Sequence, residues 1–72
     1  MKSIDHLNKG FVGIIQQVKN SETFNKYLLE LGFTPGERIE IIWKAPFGGP
    51  ISLGLRGTTI ALRRNEAIYI LC

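Results

Sequence analysis

The segment LLELGFTPGERIEIIW, residues 28–43, decides the fold because it ends a helix, turns the chain and starts a strand without interruption. Gly32 can accept the left-handed backbone that closes a helix, and apolar Phe33 follows where a Schellman cap packs back onto Leu28. The Pro–Gly pair at 35–36 suits the two central positions of a type II turn. A helix is therefore predicted before Gly32, and a strand directly after the turn.

The predicted helix lies upstream of Gly32. Its apolar residues recur at the i, i+3, i+4, i+7 spacing of a core-facing stripe, which comprises Phe24, Tyr27, Leu28 and Leu31. Asn20 or Ser21 is the expected N-cap, since both residue types accept hydrogen bonds from the first helical amides. Leu29 falls off the stripe.

The predicted strand after the turn begins at Arg38 and ends at Lys44. Every second residue is apolar and is assigned to the core face, namely Ile39, Ile41 and Trp43. Ile42 lies off that face and interrupts the polar side. The pattern is that of an antiparallel strand with one face on the core.

Four further short strands are predicted. The first spans residues 9–18, and its expected core residues are Val12, Ile14 and Val18. The later core positions are Ile51, Leu53 and Leu55, then Ile60 and Leu62 after a turn at 57–58, and finally Ile68 and Ile70. Closing a sheet protects edges that so short a chain cannot otherwise cover. We therefore expect a mostly β fold, a small antiparallel barrel of about five strands with one helix between the first and second strands.

Length and composition limit the class of protein. The 72 residues are expected to form one domain, residues 1–72, and the net charge of +3 does not by itself specify a partner. Cys72 is the only cysteine, so no intramolecular disulfide can form, which fits a reducing compartment. The sequence has neither an apolar leader nor about 20 consecutive apolar residues. We expect a cytoplasmic protein without membrane insertion.

The sequence does not predict catalysis or a bound cofactor. It has no phosphate-binding loop and no nucleophile paired with a base, so catalytic and cofactor-binding residues are expected to be absent. His6 is the only imidazole, and it lies at the opposite end of the chain from Cys72. No metal site is expected from so few ligands.

Nucleic acid is the main alternative partner. Small barrels bind single strands with basic grooves and stacking aromatics, and the candidates here are Arg38, Trp43, Lys44, Phe47, Arg56, Arg63, Arg64 and Tyr69. Trp43 alternates with Ile39 and Ile41, however, which assigns it to the core. Nucleic-acid binding is therefore not favoured.

Protein binding is favoured by apolar residues that the pattern does not bury. Phe47 lies in a Pro- and Gly-rich loop, where it either folds back onto the barrel end or stays exposed as an interface anchor. The candidate partner-binding residues are Leu29, Ile42, Phe47, Gly48 and Gly49. The apolar end of the chain, residues 68–72, carries no charge or proline, so weak self-association through Tyr69 and Leu71 is also expected.

Three segments stand out together, LLELGFTPG (28–36), APFGGP (45–50) and ALRRNEA (61–67). Their order and spacing resemble the FeoA family, small cytoplasmic proteins of bacterial ferrous-iron uptake, and the similarity extends over roughly residues 4–71. The resemblance implies an SH3-like barrel that serves FeoB, a membrane transporter with a cytoplasmic GTPase domain. Similar domains also occur at the C-terminus of metal-dependent repressors. A repressor-type SH3-like interaction module is therefore a further alternative. Gly49 stands where the family commonly has aspartate.

The domain is expected to fold without metal, because its strand pattern supplies a continuous apolar core and its metal ligands are too few for a structural site. Addition of EDTA should leave the melting temperature unchanged. A fall of many degrees that ferrous iron or zinc restores would contradict this expectation.

Overall fold

The computed structural model describes residues 1–19 and 24–72 of the chain. The caps predicted at Asn20 and Ser21 lie outside the described residues, as does the side chain of Phe24. A 3₁₀ turn at Ile4–His6 comes first. The other elements are β1 Val12–Ile14, β2 Gln17–Val18, α1 Phe24–Leu31, β3 Arg38–Lys44, β4 Ile51–Leu55, β5 Thr58–Leu62, α2 Arg64–Ala67 and β6 Ile70–Leu71.

The strands form two antiparallel sheets, one in the order β1-β3-β4-β5 and one of β2 with β6. The mostly β architecture is as predicted. The predicted first strand is divided into β1 and β2, so the described residues contain six strands rather than five, and α1 lies between β2 and β3.

The end of α1 has the predicted cap. Gly32 has a φ of +105°, and its N–H donates to the Leu29 carbonyl at 3.0 Å. The Phe33 N–H donates to the Leu28 carbonyl at 3.0 Å, which completes a Schellman motif. Phe33 and Leu28 are fully buried. Tyr27 was wrongly placed in the core, because the helix leaves it exposed.

The turn after α1 ties the first strand to the third. The Glu37 N–H donates to the Thr34 carbonyl at 3.1 Å, and Gly36 has a φ of +94°, as a type II turn requires. Ile15 bonds to this turn in both directions: its N–H donates to the Glu37 carbonyl at 2.9 Å, and its carbonyl accepts from the Gly36 N–H at 2.8 Å. The turn therefore also sets the register of β1 against β3.

The core is continuous and apolar. No polar or charged side chain is buried within residues 1–19 and 26–72. Its members are Ile4, Ile15, Val18, Leu28, Phe33, Ile39, Ile41, Ile51, Leu53, Leu55, Leu62, Ala67 and Ile70.

The wrong face of β1 was predicted to be buried. Val12 and Ile14 are exposed, whereas Ile15 is buried. The reversal has a local cause. A Cβ on Gly13 would lie 2.5 Å from the Phe11 ring, which shows that the Phe11 side chain occupies the space beside Gly13 on the inner face of the strand. The break between β1 and β2 then lets both Ile15 and the later Val18 face the core, which simple alternation forbids.

Trp43 was also wrongly assigned to the core. Ile41 pairs with Leu53 but Trp43 pairs with Ser52, so Ile42 is an extra residue on β3. Such a β-bulge inverts the alternation beyond it. Trp43 consequently points outward and is 49% exposed.

Lys44 follows Trp43 and points inward, because the bulge has inverted the alternation. Its ammonium donates to the Asp5 carbonyl at 2.8 Å and to the Leu7 carbonyl at 2.9 Å. These bonds satisfy the charged group where it is partly removed from water. They also tie the 3₁₀ turn to the end of β3.

The last predicted strand is shorter than expected. Residues 64–67 form α2, a short helix that was not predicted, and Ile68 follows it as an exposed residue, not a core one. The Glu66 carboxylate accepts from the Arg63 N–H at 2.9 Å, half of a capping box. Only Ile70 of the two predicted core residues is buried.

The final strand has no free edge. Leu71 of β6 pairs with Gln17 on one side and forms a bridge with Ser3 on the other. Lys2 and Cys72 exchange backbone hydrogen bonds of 3.0 and 2.9 Å. The free edge from which self-association was predicted is therefore occupied within the chain.

Gly32→Ala is expected to lower the free energy of unfolding by about 1–3 kcal/mol, because alanine is strained at positive φ. A Cβ would in addition lie 3.2 Å from the Leu55 side chain. Gly57→Ala is the matched control, since Gly57 also has positive φ but no atom within 4 Å of an added Cβ. In urea unfolding, a loss for Gly32→Ala no greater than that for Gly57→Ala would contradict the role of this contact.

Candidate interaction surface

The β3–β4 loop is a tight turn with an aromatic residue at its tip. Phe47 and Gly48 have φ values of +60° and +73°, and the Gly49 N–H donates to the Pro46 carbonyl at 3.2 Å. Positive φ at both central residues defines a type I′ turn. Below it, the Ala45 N–H donates to the Pro50 carbonyl at 2.9 Å, which closes the hairpin.

Phe47 is fully exposed at this tip, so it does not fold back onto the barrel. A side chain other than glycine in the left-handed region costs about 1–2 kcal/mol. The exposed phenyl ring does not stabilise the isolated domain, because it removes no apolar area from water. An aromatic side chain held in this way is typical of a contact surface.

Arg64 of α2 braces the base of the turn. Its Nε donates to the Gly49 carbonyl at 2.7 Å, and its Nη2 donates to the Ala45 carbonyl at 2.9 Å. Its Nη1 donates to Asp5 Oδ1 at 3.0 Å, which forms an ion pair. One partly buried guanidinium thus joins α2, the hairpin loop and the 3₁₀ turn. The planar fork of arginine suits such convergent acceptors.

Two further apolar side chains are exposed on the same hairpin. Trp43 is 49% and Ile42 is 39% exposed, and both lie at the bulge. Ile42 packs over Gly54, since its Cδ1 would lie 3.3 Å from a Cβ at that position. We call Ile42, Trp43 and Phe47 together the hairpin surface.

Four of the five predicted partner-binding residues lie on the β3–β4 hairpin. Ile42 and Phe47 belong to the hairpin surface. Gly48 and Gly49 shape the turn, since Gly48 has positive φ and a Cβ on Gly49 would lie 2.7 Å from the Ala45 Cβ. Leu29 is also exposed, but on α1 rather than on the hairpin.

The outward position of Trp43 and the hydrogen bonds of Lys44 and Arg64 were not predicted from the sequence. The run of three apolar residues at 41–43 was the available signal, because strict alternation cannot place all three on two faces without exposing one. Arg64 carried no comparable signal, since its acceptors are backbone carbonyls of residues 15 and 19 positions away.

Charge is unevenly distributed along the chain. Residues 41–65 contain four basic residues and no acidic one, a charge of +4, whereas the remaining five basic and six acidic residues give −1. The basic residues in the segment are Lys44, Arg56, Arg63 and Arg64. A partner that binds this part of the chain is therefore expected to be acidic.

Three ionisable groups among the described residues have shifted pKa values. The hydrogen bond between Arg56 and Glu37 lowers the pKa of the Glu37 carboxyl and raises the pKa of the Arg56 guanidinium. Burial raises the pKa of the Cys72 thiol, which keeps it protonated and a poor nucleophile or metal ligand.

Within residues 1–19 and 24–72, no three His, Cys, Asp or Glu side chains come together where they could hold a metal ion. Across the same part of the chain, no helix has the length and apolarity needed to cross a membrane.

The sequence profile of the FeoA domain matches residues 2–72. The Fe(2+) transport protein A/Fe(2+) transporter FeoB fusion protein of Porphyromonas gingivalis (strain ATCC BAA-308 / W83) is 30% identical over 67 residues. That match covers 93% of this chain but 8% of the fusion protein, so the chain spans only a small part of this relative.

Two solved structures show the same fold. Iron(II) transport protein A from Clostridium thermocellum is 37% identical with a TM-score of 0.86, over 99% of this chain and 43% of that one. FeoA from Stenotrophomonas maltophilia, complexed with zinc and described as an SH3 domain protein, is 25% identical with a TM-score of 0.85, over 99% and 88% of the two chains. The predicted SH3-like barrel is thus confirmed.

Arg64→Ala is expected to loosen the hairpin turn and to lower the free energy of unfolding by about 1–2 kcal/mol, because three hydrogen bonds of a charged group are lost. Hydrogen exchange of the Gly49 amide should become faster. Arg63→Ala is the matched control, because it removes the same charge from an exposed neighbour. Equal effects of the two changes on Gly49 exchange would rule out bracing by Arg64.

Proposed function

Since the chain belongs to the FeoA domain family, we propose that it is a cytoplasmic adaptor of ferrous iron uptake that binds and modulates a FeoB-type transporter. The fusion of FeoA with FeoB in the Porphyromonas gingivalis relative supports this proposal. Joining two partners in one polypeptide raises their effective concentration, which is useful only when the two parts act together. The contact is with the cytoplasmic part of the transporter, which includes its GTPase domain.

The hairpin surface is the proposed contact. The observation that carries this assignment is the fully exposed Phe47 ring on a turn that Arg64 braces. A rigid turn loses little conformational freedom on binding, so most of the free energy gained by burying the ring contributes to affinity. Aromatic anchors of this kind dominate the energetics of many interfaces. Trp43 lies on the same hairpin and extends the apolar contact.

The adaptor performs no chemistry of its own in this proposal. GTP hydrolysis needs a phosphate-binding loop and magnesium ligands, and the sequence contains no such loop. Any change in GTP turnover is exerted on the transporter through the contact.

Single-stranded nucleic acid is the second candidate partner, and exposure of Trp43 favours it. Trp43 was predicted to lie in the core, whereas the bulge turns this side chain outward in a basic stretch of the chain. Stacking of a base on an exposed indole contributes about 1–3 kcal/mol. A direct comparison of the two ligands decides between them.

Phe47→Ala is expected to weaken binding to the purified cytoplasmic part of the FeoB-type transporter of the same organism at least tenfold, since an interface anchor is lost. Binding can be followed by Trp43 fluorescence, because Trp43 is the only tryptophan and is half exposed. Burial at an interface should shift its emission to shorter wavelength.

Ile14→Ala is the matched control. Ile14 is an exposed aliphatic residue that pairs with Arg38 at the start of β3, whereas Phe47 follows the end of that strand. At ~3.3 Å per residue the two sites lie about 20 Å apart along the sheet. Equal losses for the two variants would reject the hairpin surface. Binding of a poly(U) RNA but not of the transporter would reject the adaptor in favour of the second candidate.

A further inference from the structure

The outer edge of β5 is open. β5 is the last strand of the four-stranded sheet and pairs only with β4 among the described residues. We infer that this edge binds an extended segment of a partner protein by strand addition, and that the segment carries acidic residues where it passes Arg63. This site is distinct from the hairpin surface, and it does not depend on which protein that surface binds.

The register of the β4–β5 hairpin shows which backbone groups are free. Leu55 pairs with Thr58 across a two-residue turn of positive φ, so Thr58 and every second residue after it bond to β4. The N–H and C=O groups of Thr59 and Ala61 consequently point away from β4. Among residues 1–19 and 24–72, no backbone or side-chain group outside the strands hydrogen-bonds to them. An added strand can therefore form up to four backbone hydrogen bonds with these two residues.

The edge lacks three of the features by which proteins block strand addition, namely charged side chains, proline and a bulge. Residues 58–62 contain no charge and no proline, and the pairing of β5 with β4 runs without a bulge. Natural edge strands are usually protected by one of these features, because an open edge invites pairing with other chains. The exposed side chains of Thr59 and Ala61 are small, so they do not keep an incoming backbone at a distance.

Charge determines which strand is accepted. Arg63 follows β5 directly and is exposed, and among the described residues no carboxylate forms an ion pair with its guanidinium, since the nearby Glu66 carboxylate accepts from its backbone N–H instead. Arg56, at the other end of β5, is already bonded to Glu37. The unpaired positive charge is thus concentrated at the Arg63 end. An acidic residue of the incoming strand beside Arg63 would compensate it.

The same charges disfavour a second copy of this chain as the occupant. Antiparallel pairing of two β5 edges about Ile60 would set Arg63 of each copy opposite Gly57 of the other. Residues 57–62 of a second copy contain no carboxylate, so such a pair would leave the charge of Arg63 uncompensated. The occupant is therefore a different chain with an acidic, extended segment.

Selection from a phage library of random 12-residue peptides tests the inference. On the wild-type protein, we expect enrichment of peptides that combine alternating β-branched residues with Asp or Glu at one end. A selected peptide should slow hydrogen exchange of the Thr59 and Ala61 amides and leave the Gly49 amide unchanged.

Ala61→Pro should weaken binding of the selected peptide at least tenfold, because proline removes one of the outward N–H donors while the hydrogen bonds to β4 remain. Ala61→Ser keeps the N–H and is the matched control, which should bind like wild type. Arg63→Glu leaves β5 itself unchanged and should shift the selection to peptides with Lys or Arg at the end that lies beside residue 63. This variant tests the inference even if Ala61→Pro does not fold.

Three outcomes would overturn the inference. They are selected peptides without a preference for acidic residues, exchange protection at the hairpin surface instead of at β5, and concentration-dependent protection of Thr59 and Ala61 without any peptide. The last result would identify a second copy of the chain as the occupant. Loss of transporter binding in Phe47→Ala bears on the proposed function and leaves this edge unaffected, so the two proposals fail separately.

Discussion

Ile42 is the extra residue that β3 must accommodate while both of its neighbouring strands stay paired. The backbone absorbs it as a bulge, and every side chain beyond that point changes face. Trp43 leaves the core for solvent, and Lys44 enters the barrel end in its place. The arrangement of the hairpin surface and the attachment of the 3₁₀ turn both depend on this one residue.

The barrel end beyond the bulge is held by charged side chains in addition to apolar packing. Lys44 donates to backbone carbonyls at the 3₁₀ turn and Arg64 to those of the hairpin loop, and among the described residues no backbone N–H outside the helices and strands donates to any of these carbonyls. Such bonds are favourable because an unpaired carbonyl that is partly removed from water costs free energy. They also hold the turn rigid while Phe47 stays in water. A small domain can in this way present an aromatic side chain without enlarging its core.

The two proposed contacts lie in one stretch of the chain and differ in their physics. The hairpin surface offers apolar side chains on a rigid turn, whereas the β5 edge offers backbone hydrogen bonds and a nearby positive charge. Residues 41–65 carry both, together with the whole excess of positive charge. The rest of the barrel supports this stretch, with β6 paired on both of its edges. An adaptor with two contacts of this kind can join two segments of one partner.

The sequence by itself determined the features that depend on neighbouring residues. The helix end at Gly32, the type II turn before β3 and the inward positions of β4 follow from local backbone preferences and from period-two alternation, and the structure confirms them. The combined segments also indicated the family. Only the tertiary structure decided the faces of Val12, Ile14 and Trp43, because a strand break and a bulge shift the alternation, and the apolar run at 41–43 does not show which of its residues points outward. It also decided the role of Arg64 and the pairing of β6, since each depends on atoms brought together from distant parts of the chain.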